Sequence, residues 1–145
     1  MSIKSQTAPG TLSLTTRECL TLLRSFDLGR IGVLHEGYPA VFPINYVVAR
    51  IDGNPVIAIR TRPDNPIDQH DELVTFEIDG VDSGYEGGWS VLVQGRLTSV
   101  VPSERFDSHP LVTAGRDAWR VIVPHNITGR RVVATPLRWP YHGAA

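Results

Sequence analysis

A change in hydrophobic period near residue 27 limits what this chain can fold into more than any other feature of its sequence. From Thr15 to Phe26 apolar residues recur at helical spacing, and Thr15 with Glu18 forms a capping box. This spacing predicts one helix over 15–25, ended near Gly29. Beyond it, apolar and polar residues alternate with a period of two, in short runs separated by turn residues. The chain is therefore expected to be mainly β.

About six short strands are predicted after the helix. Hairpin turns are expected at Glu36-Gly37 and at Asp52-Gly53-Asn54. Pro102 is expected to open a short helix through Phe106, and Pro124 to interrupt the last strand. Residues 62–71 and 79–88 carry Pro, Gly and Asp and are expected to form connections. The predicted strands run from Ile31 through Val33 and the following residues up to the turn at Glu36-Gly37, from Val41 to Val48, from Val56 to Thr61, from Leu73 to Ile78, from Ser90 to Val101, and from Trp119 to Val123 with Gly129 to Ala134.

These strands favour an antiparallel barrel, because closing a sheet removes its unpaired edges. A doubly wound α/β fold needs long helices between its strands, and the connections are too short to hold them. A chain of 145 residues amounts to one domain. The domain is expected over 13–135, between a flexible polar tail at 1–12 and a second tail at 136–145.

Composition argues against several classes of protein. The 14 basic and 15 acidic residues give a net charge of −1, which argues against a nucleic-acid partner. No apolar run is long enough to cross a membrane, and no signal peptide is recognised. The single cysteine, Cys19, fits a reducing compartment, so a cytoplasmic location is expected. The five histidines lack metal-ligand spacing, so no metal site is expected.

Two segments contain candidate binding residues. Within Phe42 to Tyr46, Pro43 indicates a strand edge or a bulge, which leaves backbone groups free to bind the polar edge of a planar ring. Asn45 adds an amide, and Tyr46 adds a ring that stacks or hydrogen-bonds. At the end of the third strand, Arg60 offers a guanidinium for a phosphate. The residues that share these two candidate roles are Pro43, Ile44, Asn45 and Tyr46 in the first segment, and Arg60, Thr61, Arg62 and Asn65 in the second.

Taken in order, these motifs resemble the pyridoxamine 5′-phosphate oxidase-like superfamily of split β-barrel flavoproteins, in its short actinobacterial form. The resemblance runs from about residue 13 to 133. It rests on short motifs whose order and spacing together are specific: Glu18-Cys19-Leu20, Leu28-Gly29-Arg30-Ile31, Phe42-Pro43-Ile44-Asn45-Tyr46, Arg60-Thr61, Val74 to Asp79, Gly88 to Arg96, and Ile127-Thr128-Gly129-Arg130-Arg131.

The resemblance implies a Greek-key-like split barrel and a homodimer with a cofactor at the subunit interface. FMN is the cofactor it implies first, with the deazaflavin F420 as an alternative and heme in a few members. By this analogy residues 43–46 line the flavin ring and Arg60-Thr61 meets the phosphate. Trp89 and Ser90 would approach from the partner subunit. The activity implied is a flavin- or deazaflavin-dependent oxidoreductase acting on a small molecule, with no catalytic side chain assigned.

One departure from the family pattern keeps other functions open. Family members often carry a cofactor-binding lysine in the loop after the Arg-Thr pair, whereas here the loop has Arg62 with Asp64 and Asp68 and no lysine. A non-catalytic flavin- or heme-binding module, or a dimeric module whose site has degenerated, is therefore the first alternative. A detoxifying protein like the nitroimidazole reductases is the second. The substrate-binding pattern of true pyridoxamine phosphate oxidases is not recognised.

Overall fold

The fold is described from a computed structural model, which covers residues 10–61, 65–67, 72–82, 87–99, 106–107 and 119–132. Within these ranges the chain forms one helix, α1 (Thr16–Ser25), and eight strands. The strands are β1 (Thr11–Ser13), β2 (Leu28–His35), β3 (Tyr38–Ile51), β4 (Asn54–Arg60), β5 (Glu72–Val81), β6 (Gly88–Ser99), β7 (Phe106–Asp107) and β8 (Trp119–Val132).

Helix α1 begins and ends close to the predicted positions. The Glu18 N–H donates to Thr15 Oγ1 and the Thr15 N–H donates to Glu18 Oε1, both at 3.1 Å, so the predicted capping box is present. Cys19 and Leu23 are the buried residues of the helix. With ten residues, the only helix in the described part of the chain is too short to cross a membrane.

Six antiparallel strands close into a barrel, as the alternating pattern predicted. Strand β5 pairs with β2 after the β2–β3–β4 meander, so the chain crosses over in the manner of a Greek key. Strand β8 then inserts between β4 and β6 and completes the ring of hydrogen bonds. The β2–β3 and β3–β4 hairpins turn through Glu36-Gly37 and Asp52-Gly53, whose four φ angles lie between 50° and 82°. Positive φ at both central residues is the type I′ geometry that suits the twist of a hairpin.

Several predicted boundaries were wrong. Strand β8 is continuous through Pro124, because a β-bulge absorbs the proline: Gln94 pairs with Asn126 and Gly95 with Pro124, which leaves His125 unpaired. The β5–β6 ladder extends through residues 79–81 and 88, which were expected to form part of a connection.

Near the ends of the predicted domain the outcome is mixed. Phe106 belongs to β7, which pairs with the end of β3, instead of ending a helix. The rest of that predicted helix, at 102–105, lies outside the described residues. Thr11 and Leu12 fall in the segment expected to be a tail, but they pair with β8 as part of β1. Residues 1–9 and 133–145 also lie outside the described ranges.

Two apolar clusters cover opposite faces of the sheet. The barrel interior is filled by inward side chains of every strand in the ring, closed at one end by α1, with Phe76, Ile31 and Leu97 fully buried. The second cluster lies on the outer face of β3, β4 and β8 and contains Ala49, Val56, Ala58, Trp119 and Val121. Strand β4 is therefore buried on both faces, which explains its continuous apolar run Val56-Ile57-Ala58-Ile59.

Candidate functional site

Strands β3 and β4 separate at one end of their hairpin, and the outer face of that region carries part of the predicted site. Their pairing runs from Ile51 to Tyr46 and stops where Tyr46 meets Ile59. Strand β3 continues back to Tyr38 with β2 on one side, and no other described strand pairs with residues 38–45. This part of β3 is therefore a free edge, which agrees with the prediction that Pro43 lies at an edge or a bulge.

The alternation of the ladder determines which backbone groups that edge presents. The Tyr46 N–H donates to the Asp27 carbonyl at 2.9 Å, in line with the pairing of Leu28 with Asn45. Since hydrogen-bonded and non-bonded pairs alternate, residues 41, 43 and 45 direct their backbone groups away from β2, toward the free edge. Pro43 therefore interrupts no hydrogen bond of the β2–β3 ladder. The described strands leave the carbonyls of Val41 and Pro43 and the amides of Val41 and Asn45 for other partners, whereas the Asn45 carbonyl faces the Arg60 N–H at the last pair of the β3–β4 ladder.

Asn45 and Arg60 lie side by side on the outer face of the barrel. Tyr46 pairs with Ile59, so the next residues along each strand, Asn45 and Arg60, face each other where the strands part. Both side chains are exposed, and neither makes a hydrogen bond or an ion pair within the described chain. With Pro43 on the same face, they form the outer-face set: Pro43, Asn45 and Arg60.

Ile44 and Tyr46 point the other way, into the barrel. The Tyr46 hydroxyl donates to the Leu23 carbonyl at 2.6 Å, and its ring packs edge-on against Phe76 at 4.8 Å. Burial, with a smaller contribution from the negative charge of Asp27, raises the pKa of Tyr46 to about 12. The Tyr46 side chain is therefore committed to the core, where it satisfies a carbonyl of the last turn of α1.

The remaining residues of the predicted phosphate segment are distributed differently. Thr61 is buried and already has an interaction partner. Asn65 Oδ1 accepts a hydrogen bond from the Ile67 N–H at 3.1 Å, and Ile67 is anchored in the core. Asn65 therefore shapes the loop after β4 through an Asx turn. Arg62 lies outside the described residues.

Trp89 and Ser90 lie apart from the outer-face set within one chain. Trp89 packs on Phe26, with ring centroids 5.2 Å apart, and covers Gly80, where an added Cβ would lie 2.7 Å from the indole ring. Ser90 shares a row of the outer face with Asn45, but three strand spacings separate them, or roughly 14 Å along the curved sheet. Their predicted contribution to the site from a partner subunit stays a prediction.

A charged cluster beside Pro43 was missed by the sequence reasoning. Arg30 pairs across the ladder with Pro43 on one side and with Glu77 on the other. Its Nη1 lies 3.1 Å from Asp79 Oδ2 and 3.7 Å from Glu77 Oε1. Burial, a hydrogen bond with Asp79 and the Asp79 charge raise the pKa of Glu77, and Arg30 opposes them. A carboxyl with a raised pKa therefore lies at the border of the outer-face set.

The sequence pattern gave only part of the information needed to predict this cluster. Alternation along Val74 to Asp79 placed both carboxyls on the face opposite Phe76, but the strand that faces them depends on a crossover that the sequence does not reveal.

Exposed apolar side chains continue the outer face away from the charged cluster. Leu34, Val41 and Leu73 are each more than 60% exposed. They line a groove of about 540 Å³ whose floor includes Gly32 and Thr75. Such a patch on a small domain is typical of a binding or subunit interface.

Comparison with known proteins assigns the chain to a family. The family described as pyridoxamine 5′-phosphate oxidase matches residues 15–132, which include α1 and all six strands of the barrel. The chain belongs to this family. The predicted family and the split-barrel fold are thereby confirmed. The family consists of FAD- and FMN-binding pyridoxamine oxidase-like proteins.

Individual relatives agree with this assignment. The uncharacterized protein Rv0080 of Mycobacterium tuberculosis is 30% identical over 142 residues, covering 89% of this chain and 90% of its own length. The FAD binding protein from Mycobacterium smegmatis is 32% identical, with a TM-score of 0.65, covering 83% of this chain and 97% of that one. A FAD-binding protein from Mesorhizobium loti, 20% identical with a TM-score of 0.62, covers 83% of this chain and 96% of that one and shares the fold.

Proposed function

We propose that this protein is a flavin-dependent oxidoreductase that works as a homodimer and binds its cofactor at the outer-face set. The observation that carries the proposal is the position of the Arg60 guanidinium and the Asn45 amide, neither of them bonded within the described chain, beside the edge of β3 that no described strand pairs with. FMN was the cofactor expected from the family resemblance. The 32% identical Mycobacterium smegmatis protein is described as a FAD binding protein, which makes FAD an equal candidate here.

The chemistry of these residues fits a flavin nucleotide. A guanidinium binds phosphate oxygens through two parallel N–H bonds. The polar edge of a flavin ring needs both donors and acceptors, and the β3 edge offers both, through the Val41 and Asn45 amides and the carbonyls of Val41 and Pro43. The two parts are adjacent, so phosphate and ring are recognised at one end of the β3–β4 hairpin.

Each residue has a separate task in this proposal. Arg60 holds the phosphate end, and the β3 edge with Asn45 orients the ring. Arg30, Glu77 and Asp79 form a charged border next to Pro43, where burial and Asp79 raise the pKa of Glu77. A bound flavin would supply the hydride and single-electron chemistry that no side chain provides.

The homodimer rests on the exposed apolar groove. A second copy placed against Leu34, Val41 and Leu73 would remove these side chains from water and exclude water from the neighbouring outer-face set. A cytoplasmic location stays a prediction from the single cysteine, which is buried in the core.

One observation favours a non-catalytic flavin carrier as a second candidate. The loop after β4 has no lysine, and Asp64 and Asp68 would repel a phosphate. A carrier binds the cofactor but passes no electrons to or from a second substrate.

Titration of the purified protein with FMN, FAD and F420, followed by fluorescence and melting temperature, tests the proposal. One of the three is expected to bind with one site per chain. The loaded protein is then mixed anaerobically with NADH or NADPH, and separately reduced with dithionite and exposed to a quinone or nitroaromatic acceptor. Electron transfer in either direction supports the oxidoreductase. Binding with no transfer to or from any of these reagents supports the carrier, and failure of all three cofactors to bind contradicts both.

A further inference from the structure

A second cleft lies at the opposite end of the β3–β4 hairpin from the outer-face set. It has a volume of about 690 Å³, within the usual range for small-molecule sites. The seven residue steps from Asn45 in β3 to Asp52, just past its end, span roughly 23 Å of extended chain. The two sites therefore occupy different ends of the barrel wall.

Two irregular features of the backbone form the walls of this cleft. One is the hairpin tip, with Asp52 and Asn54, and the other is the β8 bulge, with His125 and Asn126. The bulge takes His125 out of the ladder pairing and places it on the cleft wall. Bulges are common beside functional sites because they redirect a side chain in this way.

The floor of the cleft is apolar. Val56 and Val121 lie beneath it but are already only 2% and 0% exposed, so the apolar surface open to a ligand comes from Val123, which is 39% exposed, and from the half-buried Ile51 and Pro55. A ligand with an apolar body would gain free energy by covering these three side chains. The polar groups stand only at the rim, so they would bind one end of such a ligand.

The charge of the rim is negative. Asp52 is the only carboxylate among the described residues that line the cleft, and none of those residues is lysine or arginine. The Asp52 carboxylate makes no hydrogen bond or ion pair within the described chain. An unpaired carboxylate above an apolar floor complements a ligand that carries a positive charge on an apolar body.

We propose that this cleft binds a small organic cation, with an ammonium group at the Asp52 carboxylate and an apolar body against Val123, Ile51 and Pro55. His125, Asn54 and Asn126 add hydrogen-bonding groups around the charged end. His125 and Asn126 also line the groove proposed as the subunit interface, so this site adjoins that interface, but it shares no residue with the outer-face set and does not depend on a bound flavin.

Three probes of similar size that share a phenyl ring separate charge from apolar contact. Phenethylamine is cationic, phenethyl alcohol neutral and phenylpropionate anionic, and each is titrated into the full chain by calorimetry and by amide chemical-shift mapping. Phenethylamine is expected to bind best and to shift the amides of Asn54, His125 and Asn126. Equal or better binding of phenylpropionate, shifts confined to other residues, or no binding of phenethylamine would overturn the proposal.

The variant Asp52→Asn tests the role of the carboxylate without disturbing the turn. Asp52 has a φ of 50°, where asparagine is at least as well accommodated, so the fold is expected to be retained. The affinity for phenethylamine is expected to fall about fivefold, the upper end of what an exposed ion pair contributes. Asp82→Asn, which removes a carboxylate paired with Arg131 elsewhere, is the control and should leave the affinity unchanged. An unchanged affinity in Asp52→Asn would exclude the proposed contact.

Discussion

Arginine side chains in this protein differ in whether they already have a partner. Arg30 lies against two carboxylates and Arg131 against Asp82, whereas the Arg60 guanidinium has no ion pair within the described chain. A guanidinium without a partner keeps its full capacity for an anionic ligand. This difference makes Arg60 the most informative residue to change.

Arg60→Ala is expected to weaken binding of a phosphate-bearing flavin by about 1.5–3 kcal/mol, the usual contribution of a charge-assisted hydrogen bond. The measurement is the dissociation constant from a fluorescence titration. Arg24→Ala, at an exposed position in the last turn of α1, is the matched control. Equal dissociation constants for wild type and Arg60→Ala would remove Arg60 from the site.

Tyr46→Phe is expected to destabilise the protein by about 1 kcal/mol near neutral pH, because the Leu23 carbonyl loses its donor. The pKa of Tyr46 is raised to about 12, above its ordinary value of about 10. As pH rises from about 10 toward 12, the phenol ionises in the unfolded chain before it ionises in the folded one, so the wild type loses stability in that window. The phenylalanine variant lacks this loss.

The difference in unfolding free energy between wild type and Tyr46→Phe should therefore shrink with rising pH, as measured by urea unfolding at about pH 8 and about pH 11. Tyr38→Phe, at a residue 76% exposed, should leave the unfolding free energy unchanged at both pH values. A difference that stays constant with pH would contradict the role assigned to the hydroxyl.

Helix α1 reaches the barrel through a position where only glycine fits. An added Cβ at Gly129 of β8 would lie 2.6 Å from Cys19 Sγ and 3.0 Å from Leu14 Cδ1. The Leu14 N–H also donates to the Gly129 carbonyl at 2.9 Å, so the segment leading into the helix is fixed at the same point. The contact between α1 and β8 is therefore close and specific.

Gly129→Ala is expected to cost about 1–3 kcal/mol of stability through overpacking. Adding Cys19→Ala removes the sulfur and should recover part of that loss, which a double-mutant cycle of unfolding free energies measures. Gly32→Ala, where the nearest atom to an added Cβ is 3.7 Å away, should be neutral or mildly stabilising. Additive effects of the Gly129 and Cys19 changes would show that the two residues do not press on each other.

Local pattern was enough to predict the helix, most of the strands and the barrel, because each depends on periodicity and turn residues. The inward direction of Ile44 and Tyr46 also follows from alternation along the strand, since Val41, Pro43 and Asn45 face the opposite, outer side. Which strands face each other could not be predicted. The β5 crossover and the bulge at His125 set those registers, and both depend on contacts between distant segments.

The candidate site was harder to predict than the fold for the same reason. Arg60 and Asn45 were each recognised, but their juxtaposition depends on where β3 and β4 separate. The cluster of Arg30 with Glu77 and Asp79 depends on the β2–β5 pairing. The residue pattern along one strand does not predict which strand pairs with it when a crossover connection joins the two.

At the scale of the whole molecule, we expect two copies of the chain to assemble into a dimer. Leu34 and Leu73 are exposed to 63% and 64% at the groove proposed as the subunit interface. Leu34→Asp should raise the dimer dissociation constant by more than tenfold, because a buried unpaired carboxylate opposes association. Sedimentation velocity across a concentration series measures it. Val81→Asp, at the far end of β5, is the control, and a wild type that stays monomeric throughout would contradict the proposal.

The ring of six strands is completed by the strand that the ribosome makes last among them. Until β8 has emerged, β4 and β6 are open edges of an unfinished sheet, and their final partner is still being synthesised. Until then the earlier strands keep unpaired edges, and part of their interior side is uncovered, because the strand that completes the ring lies far along the chain. We expect such a nascent chain to depend on chaperones that shield edge strands, and truncations within β8 to yield aggregates instead of a smaller folded domain.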